Sequence, residues 1–249
     1  MINVQHFRFT APADLRLVVA GDLHGADPAP ILKLIERQGP AAILLTGDIL
    51  EGPGREHFSL PFQKVLSWQE KYQIGMEFMK GCVQIAPTFF VSGNHENTLP
   101  THAVEEIKSL GVTTLLDSDV EFGGIRLGGL GSSAAFGANR KQPDVEFLKS
   151  FAEKDGFKVL LCHHPEYFDP YIRALPIDLT VSGHAHGGQW RIGSLGVFAP
   201  GQGVFPKYTK GLYHNRLAVH TGLNNHVALV PRIFNPYDIL CIELNKKCL

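Results

Sequence analysis

Five short apolar runs, at residues 15–20, 41–46, 88–91, 159–162 and 179–182, each stop abruptly at a polar cluster, and this repetition constrains the fold more than any other feature. Runs of this length, partly β-branched and bounded by Gly or polar residues, predict strands buried on both faces. Residues 29–38, ended by Gly39-Pro40, and residues 60–80, closed by Gly81, predict helices between the first three runs. Strand, helix, strand, helix, strand implies parallel pairing in the first half. After Leu110 the runs 112–116, 120–122 and 125–130 are separated by Gly and Asp, which predicts a hairpin, and 147–154 predicts another helix. From Gln189 onward Gly, Pro and short β-prone runs predict mainly antiparallel structure, closed by a strand at 237–244. The sum is a two-sheet sandwich with helices outside, a single domain over residues 1–249 without linker or repeat.

The clusters are Gly21-Asp22-Leu23-His24, Gly47-Asp48, Gly93-Asn94-His95-Glu96, Cys162-His163-His164-Pro165 and Gly183-His184-Ala185-His186. They sit at the carboxyl ends of predicted strands, where open α/β sheets bind ligands. The glycine opening four of them permits a sharp turn off the strand. Residues two apart on an extended chain point the same way, so Asp22 and His24 are expected to reach one ion together, and His184 and His186 repeat that spacing. Carboxylate, amide oxygen and imidazole together suit Mn²⁺, Fe²⁺ or Zn²⁺ rather than the all-oxygen shell of Ca²⁺. A bridging carboxylate would hold two such ions about 3.5–4 Å apart, the separation that clamps both oxygens of a phosphoryl transfer. Asp48, central in the set, is the candidate bridge. His163 and His164 are adjacent and face opposite ways, so the two compete for one ligand position.

D-x-H, G-D, G-N-H-E, a His following a strand and G-H-x-H, in this order from Asp22 to His186, resemble the calcineurin-like metallophosphoesterases. The resemblance implies an α/β fold, a four-layer αββα sandwich of two mixed β-sheets flanked by helices. It also implies phosphate-ester hydrolysis at two divalent metal ions, Mn²⁺ ahead of Fe²⁺ or Zn²⁺. By resemblance Asp22, His24 and His186 hold one ion, Asn94, His163 and His184 the other, and Asp48 bridges. The family's lone-His ligand directly follows its strand, which selects His163 and leaves His164 to meet substrate. The resemblance implies that a water or hydroxide held between the ions would have a lowered pKa and attack phosphorus in line. His95, outside the ligand set, is expected, when protonated, to stabilise the developing charge or protonate the leaving alkoxide. Glu96 is the carboxylate expected to orient it.

The G-D motif continues as Ile49-Leu50-Glu51-Gly52, without the arginine that clamps phosphate in protein Ser/Thr phosphatases or the tyrosine of purple acid phosphatases, so neither class fits. Gly187-Gly188-Gln189, Lys210-Gly211-Leu212-Tyr213 and Pro231-Arg232-Ile233-Phe234-Asn235-Pro236 resemble the bacterial subgroup of UDP-2,3-diacylglucosamine hydrolase-like and cell-wall-associated phosphodiesterases. The expected substrate is a small phosphorylated molecule with a phosphodiester or pyrophosphate bond. A phosphomonoesterase, a nuclease and a non-catalytic scaffold are the alternatives. With 23 basic and 24 acidic residues the chain lacks the electropositive footprint of a nucleic-acid binder. No apolar run reaches the roughly 18 residues of a membrane span, and the amino terminus does not read as an export signal, so a soluble cytoplasmic protein is expected. The four cysteines form no C-x-x-C pair and read as reduced thiols. Apolar residues after Gly52 and around Phe205 are expected to pack in the core, with peripheral membrane contact left open. Phe58, Phe136 and Trp190 lie near the motif loops, within reach of a substrate ring. Arg140, Lys207 and Arg232 read as solvated charges more than phosphate contacts.

Overall fold

The computed structural model describes residues 2–54, 66–133, 135–137, 142–225 and 231–246; Phe58, Arg140 and Cys248 lie outside them. The first sheet begins with β1 (Ile2–Thr10) and β2 (Leu15–Ala20), followed by α1 (Pro28–Arg37), β3 (Ala42–Leu45), α2 (Trp68–Ile85), β4 (Thr88–Phe90), α3 (His102–Ser109) and β5 (Thr113–Thr114). The hairpin β6 (Ser118–Phe122) and β7 (Ile125–Leu130) opens the second sheet, with α4 (Val145–Glu153), β8 (Lys158–Cys162) and β9 (Leu179–Ser182) after it. Two small ribbons follow, β10 (Arg191–Ile192) with β11 (Leu195–Gly196) and β12 (Phe198–Ala199) with β13 (Gly203–Val204). The chain then adds β14 (Gly211–Tyr213) and β15 (Leu217–Val219) to the second sheet and ends in β16 (Tyr237–Asn245).

The six-stranded sheets have the orders β1-β16-β2-β3-β4-β5 and β14-β15-β9-β8-β7-β6. Both are mixed: β2, β3, β4 and β5 are parallel neighbours, while β16 pairs parallel with β1 and antiparallel with β2. In the second sheet β7, β8, β9 and β15 run parallel between antiparallel edges. The tail after Gln189 is therefore less antiparallel than its composition suggests.

Strand alternation builds the layers. Leu17, Val19, Leu44, Phe89, Leu127, Leu161, Val181 and Leu240 point between the sheets. Val18, Ala20, Ile43, Leu45 and Phe90 point outward against Ile31, Ile35, Phe78, Met79 and Ile107 of α1, α2 and α3. Leu130, Leu160, Cys162, Leu217 and Val219 pack under Phe147, Leu148 and Phe151 of α4. Each fully buried side chain of this size is worth roughly 1.5–3 kcal/mol of transfer free energy, so the strands are tightly held and their carboxyl ends form a fixed platform. The result is the αββα sandwich expected.

Of the helix predicted at 60–80, residues 60–65 lie outside the described ones; α2 covers the rest from Trp68 and runs through Gly81. Ser67 and Glu70 form a capping box at its start, each side chain taking a backbone N–H of the other. Gly81 does not end it; a Cβ there would collide with Leu32 of α1, so the glycine permits close helix packing. Among the cysteines, Cys82, Cys162 and Cys241 are buried and free.

Candidate metal centre

All five clusters meet at one place, in the loops after β2, β3, β4, β8 and β9. Asp22, His24, Asp48, His95, His163, His184 and His186 are buried there. The loops are not the extended segments that the spacing suggested. Asp22, His24, Asp48, His184 and His186 have φ between 41° and 63°, the left-handed region that non-glycine residues enter sparingly. Five candidate ligands thus hold backbone strain, the kind of outlier that clusters at working sites. Among the preceding glycines, Gly47 takes a positive φ of 91°. Gly93 serves close approach instead, since a Cβ there would strike Asp48 Oδ1.

Asp22 and His24 do converge, with Oδ1 and Nε2 3.8 Å apart. His184 and His186 do not share a position. His186 Nε2 lies 3.7 Å from Asp22 Oδ1, whereas His184 groups with Asp48 and His163. The donors fall into sets able to hold a cation, Asp22 with His24 and His186, and Asp48 with His163 and His184. His163 Nε2 is 3.2 Å from Asn94 Oδ1, which brings Asn94 to the second set.

Asp48 Oδ2 lies between them, 3.8 Å from His24 Nε2, 3.2 Å from His163 Nε2 and 3.8 Å from His95 Nε2. In each of these rings Nδ1 has a hydrogen-bond acceptor: Glu51 Oε1 for His24 at 2.9 Å, Glu51 Oε2 for His95 at 2.8 Å, and the Thr46 carbonyl for His163 at 2.7 Å. Donation from Nδ1 leaves Nε2 as a lone-pair donor, the tautomer that metal ligation requires. Asp22 Oδ1 is buried and makes no hydrogen bond to the described residues. A buried carboxylate oxygen facing imidazole nitrogens at 3.7–3.8 Å fits a cation between them. His186 is the exception, because Arg232 Nη2 lies 3.0 Å from its Nδ1 and donates to it. The guanidinium must withdraw, so that Nδ1 can carry the proton, before Nε2 can ligate.

The structure corrects the role given to Glu96. Its carboxylate turns away from His95 and accepts four backbone N–H groups, from Asp48, Ile49, Leu50 and Gly93 at 2.8–3.1 Å, tying the β3 and β4 loops together. Burial and the Asp48 charge push it up to about 7, against those N–H donors. Glu51 is the carboxylate that orients His95, and it orients His24 as well.

The other expectations divide. His164 lies off the Asp48 cluster, bonded to Ser132 Oγ and to Glu166 at 3.0 Å each. Phe136 is buried in the core. Arg232 is not a solvated charge; it stacks on Tyr237 and donates to the Thr221 and Asn224 carbonyls. Lys207 pairs with Asp169 at 2.6 Å. Phe205, expected in the core, is 70% exposed.

Protonation of the metal-free site is divided too. Burial would lower His24, but Asp22, Glu51 and Asp48 raise it to about 9. Burial likewise opposes, and Asp48 and Asp22 outweigh it, in raising His163 to about 10. Burial pushes His186 down to about 3 and holds His184 well below the usual imidazole range. For Asp22 and Asp48, burial is outweighed by the surrounding imidazoles, and both carboxyls sit well below their usual range. The raised imidazoles stabilise the metal-free fold below about 6.5, and that contribution is lost as pH rises through 9 to 10. The depressed carboxylates stabilise it above about 4, and their contribution is lost on acidification. Cation binding at neutral pH is expected to release protons from His24 and His163. Calorimetry in buffers of different ionisation enthalpy measures that release; a buffer-independent heat contradicts it.

A model of the calcineurin-like phosphoesterase family matches residues 15–188, the span that carries all five clusters. The chain belongs to the calcineurin-like phosphoesterase family. An uncharacterised metallophosphoesterase of Helicobacter pylori strain J99 is 36% identical over 108 residues, 41% of this chain and 28% of that protein. YpbG of Bacillus subtilis strain 168, also uncharacterised, is 28% identical over 69% of this chain and 61% of its own length. Phosphodiesterase YaeI of Escherichia coli K12 is 27% identical over 76% of this chain and 67% of its own. The chain thus matches less than two thirds of the Helicobacter and Bacillus proteins. The family match runs from β2 to just past His186, so the ribbons after Gln189 lie outside it.

Proposed function

We propose that this calcineurin-like phosphoesterase hydrolyses a phosphodiester or pyrophosphate bond in a small molecule, using two divalent cations held by Asp22, His24 and His186 on one side and Asn94, His163 and His184 on the other, with Asp48 between. The observation that carries the reading is the convergence of three Nε2 atoms, from three strand ends, on Asp48 Oδ2. The naming of YaeI as a phosphodiesterase and the lack of an arginine after Asp48 favour a diester over a phosphoprotein.

Divalent cations bound there would neutralise phosphate charge and lower the pKa of the attacking water. The chain supplies the rest. Asp48 is fixed by accepting the His95 backbone N–H on Oδ1 at 2.8 Å, which turns Oδ2 toward Nε2 of His24, His95 and His163. Glu51 holds the His95 ring by Nδ1 and would support its imidazolium form, in which Nε2–H, on the Asp48 side of the ring, could pass a proton to the leaving oxygen. Burial of these groups strengthens their interaction with the developing charge.

Protein stripped with EDTA is expected to lose turnover of bis-p-nitrophenyl phosphate and to regain it with Mn²⁺, with p-nitrophenyl phosphate the poorer substrate. His95→Ala should keep its metals and lose roughly 10²–10⁴-fold in turnover. Equal diester turnover with and without metal would remove the proposal, and a preference for the monoester would move it to a phosphomonoesterase.

A further inference from the structure

Each imidazole that faces Asp48 Oδ2 through Nε2 has an acceptor behind it at Nδ1. His184, in the second donor set, has no such partner: neither of its ring nitrogens is hydrogen-bonded to a described residue. Its side chain is only 9% exposed, so solvent does little to make up the missing bond. Glu166 Oε1 lies 3.6 Å from its Nε2, about half an ångström beyond an ordinary N–H···O bond.

Glu166 reaches this place from the β8 loop. The chain leaves β8 at Cys162, passes His163 and His164, and turns through a 3₁₀ segment at Pro165–Tyr167. The turn folds the Glu166 side chain back on His164, whose Nδ1 lies 3.0 Å from Oε1. The His164 ring is held elsewhere too, with Ser132 Oγ 3.0 Å from Nε2 and the Tyr167 ring centroid at 4.7 Å. Both nitrogens of His164 are thus engaged, and the ring anchors the carboxylate. Gly201, in the turn between β12 and β13, packs against that carboxylate so closely that a Cβ would overlap Oε1. Oε2 is buried and has no hydrogen-bond partner among the described residues. A carboxylate accepts several hydrogen bonds, so Glu166 keeps acceptor capacity unspent beside a ring that lacks an acceptor.

His164, Glu166 and His184 also lie close enough together to share a cation. Hydrogen bonding at both His164 nitrogens favours a different use of the group, because a ring so engaged has no lone pair left for a metal. We infer that Glu166 is a positioning residue for the second donor set: it accepts the Nε2–H of His184 and leaves Nδ1 as the nitrogen that meets the cation. The inference rests on the two-cation reading above and inverts, for this ring, the tautomer of His24, His95 and His163. Imidazole ligands bind through one nitrogen and donate the other N–H to a carboxylate or carbonyl, which fixes the ring and raises its basicity. The His184 main chain is fixed separately, its N–H donating to Asp22 Oδ2 at 3.0 Å. The first donor set therefore holds the backbone of His184, and Glu166 sets its ring. One carboxylate serving two rings then occurs twice at the site, Glu51 for His24 and His95, and Glu166 for His164 and His184.

Stepwise Mn²⁺ titration of EDTA-stripped protein tests it. Wild type is expected to take up two cations. Glu166→Leu removes the acceptor at similar volume and should weaken one uptake step by about 10–100-fold, leaving the other within a few-fold. Glu166→Gln should keep the wild-type pattern to within a few-fold, because its amide oxygen must face the His164 N–H and so stays available to His184. Thermal unfolding in EDTA shows whether each variant folds. With cadmium in place of manganese and isotope-labelled histidine, NMR of wild type should show the His184 metal–nitrogen coupling at Nδ1 and a proton on Nε2, a readout that needs neither variant. Coupling at Nε2 overturns the inference. So does an equal loss at both steps in Glu166→Leu, or a third cation that disappears in that variant. Wild type that takes up no cation removes the two-cation reading as well; wild type that takes up two, matched by Glu166→Leu, removes only this inference.

Discussion

Asp48→Asn is expected to lower kcat/KM on a phosphodiester by about a thousandfold or more, ~4 kcal/mol of transition-state stabilisation. The substitution replaces one carboxylate oxygen by an amide NH₂ and changes almost no volume. Asn keeps an oxygen where Oδ1 accepts the His95 N–H at 2.8 Å, so the β3 and β4 loops stay joined. At the other position an amide NH₂ replaces Oδ2 and points donors at the Nε2 atoms of His24, His95 and His163. An NH₂ group cannot bridge two cations, and removing the charge weakens both donor sets. Metal content after dialysis should fall below that of wild type, while thermal unfolding in EDTA still gives one cooperative transition. Full metal content with undiminished turnover would remove Asp48 from the centre of the mechanism.

Much of this arrangement is legible in the chain, and the parts that are not have physical reasons. β2 and β9 match the predicted runs residue for residue, because apolar stretches buried on both faces carry a strong and local signal. β1 was not predicted. Its Val4, Phe7 and Phe9 are only partly buried, and it forms by pairing with β16, more than 230 residues away along the chain. α3 was missed too: it is short, and its cap side chain makes no hydrogen bond. The beginning of α2 was readable, since Ser67-x-x-Glu70 is a capping signature in the sequence itself.

At the site, residue types and order revealed which side chains meet, but not how the backbone turns to let them. The left-handed conformations of Asp22, His24, Asp48, His184 and His186 are imposed by the surrounding fold against local preference. The exchange of Glu51 for Glu96 follows from one such turn. His95 opens a 3₁₀ turn at His95–Thr98, so the next side chain points away from it and into the backbone N–H groups of the β3 loop. Glu51, three residues after Asp48, had no motif to mark it; only folding the β3 loop over the β4 loop brings it to two imidazoles.

Glu51 therefore carries the second large expectation. Its oxygens are divided, Oε1 on His24 Nδ1 at 2.9 Å and Oε2 on His95 Nδ1 at 2.8 Å, so one carboxylate sets the tautomer of a candidate ligand and of the candidate proton donor. The two rings touch edge to face with centroids 4.6 Å apart, and neither can turn without disturbing the other. Burial would raise Glu51, but its bonds to both rings hold it far below the usual carboxylate range, so it stays ionised wherever the fold survives. Gln in its place offers one acceptor and one donor. One ring keeps its partner; the other meets an N–H, and relieving that clash moves its proton to Nε2, toward Asp48 Oδ2. If His24 loses its partner, cation affinity should fall by about 10–100-fold. If His95 loses it, turnover at saturating metal should fall by about a hundredfold with affinity preserved. Glu51→Ala should show both losses at once. Metal titration and kcat at saturating Mn²⁺ separate the two, and wild-type values for both in Glu51→Ala would mean that the carboxylate only fills space between the rings.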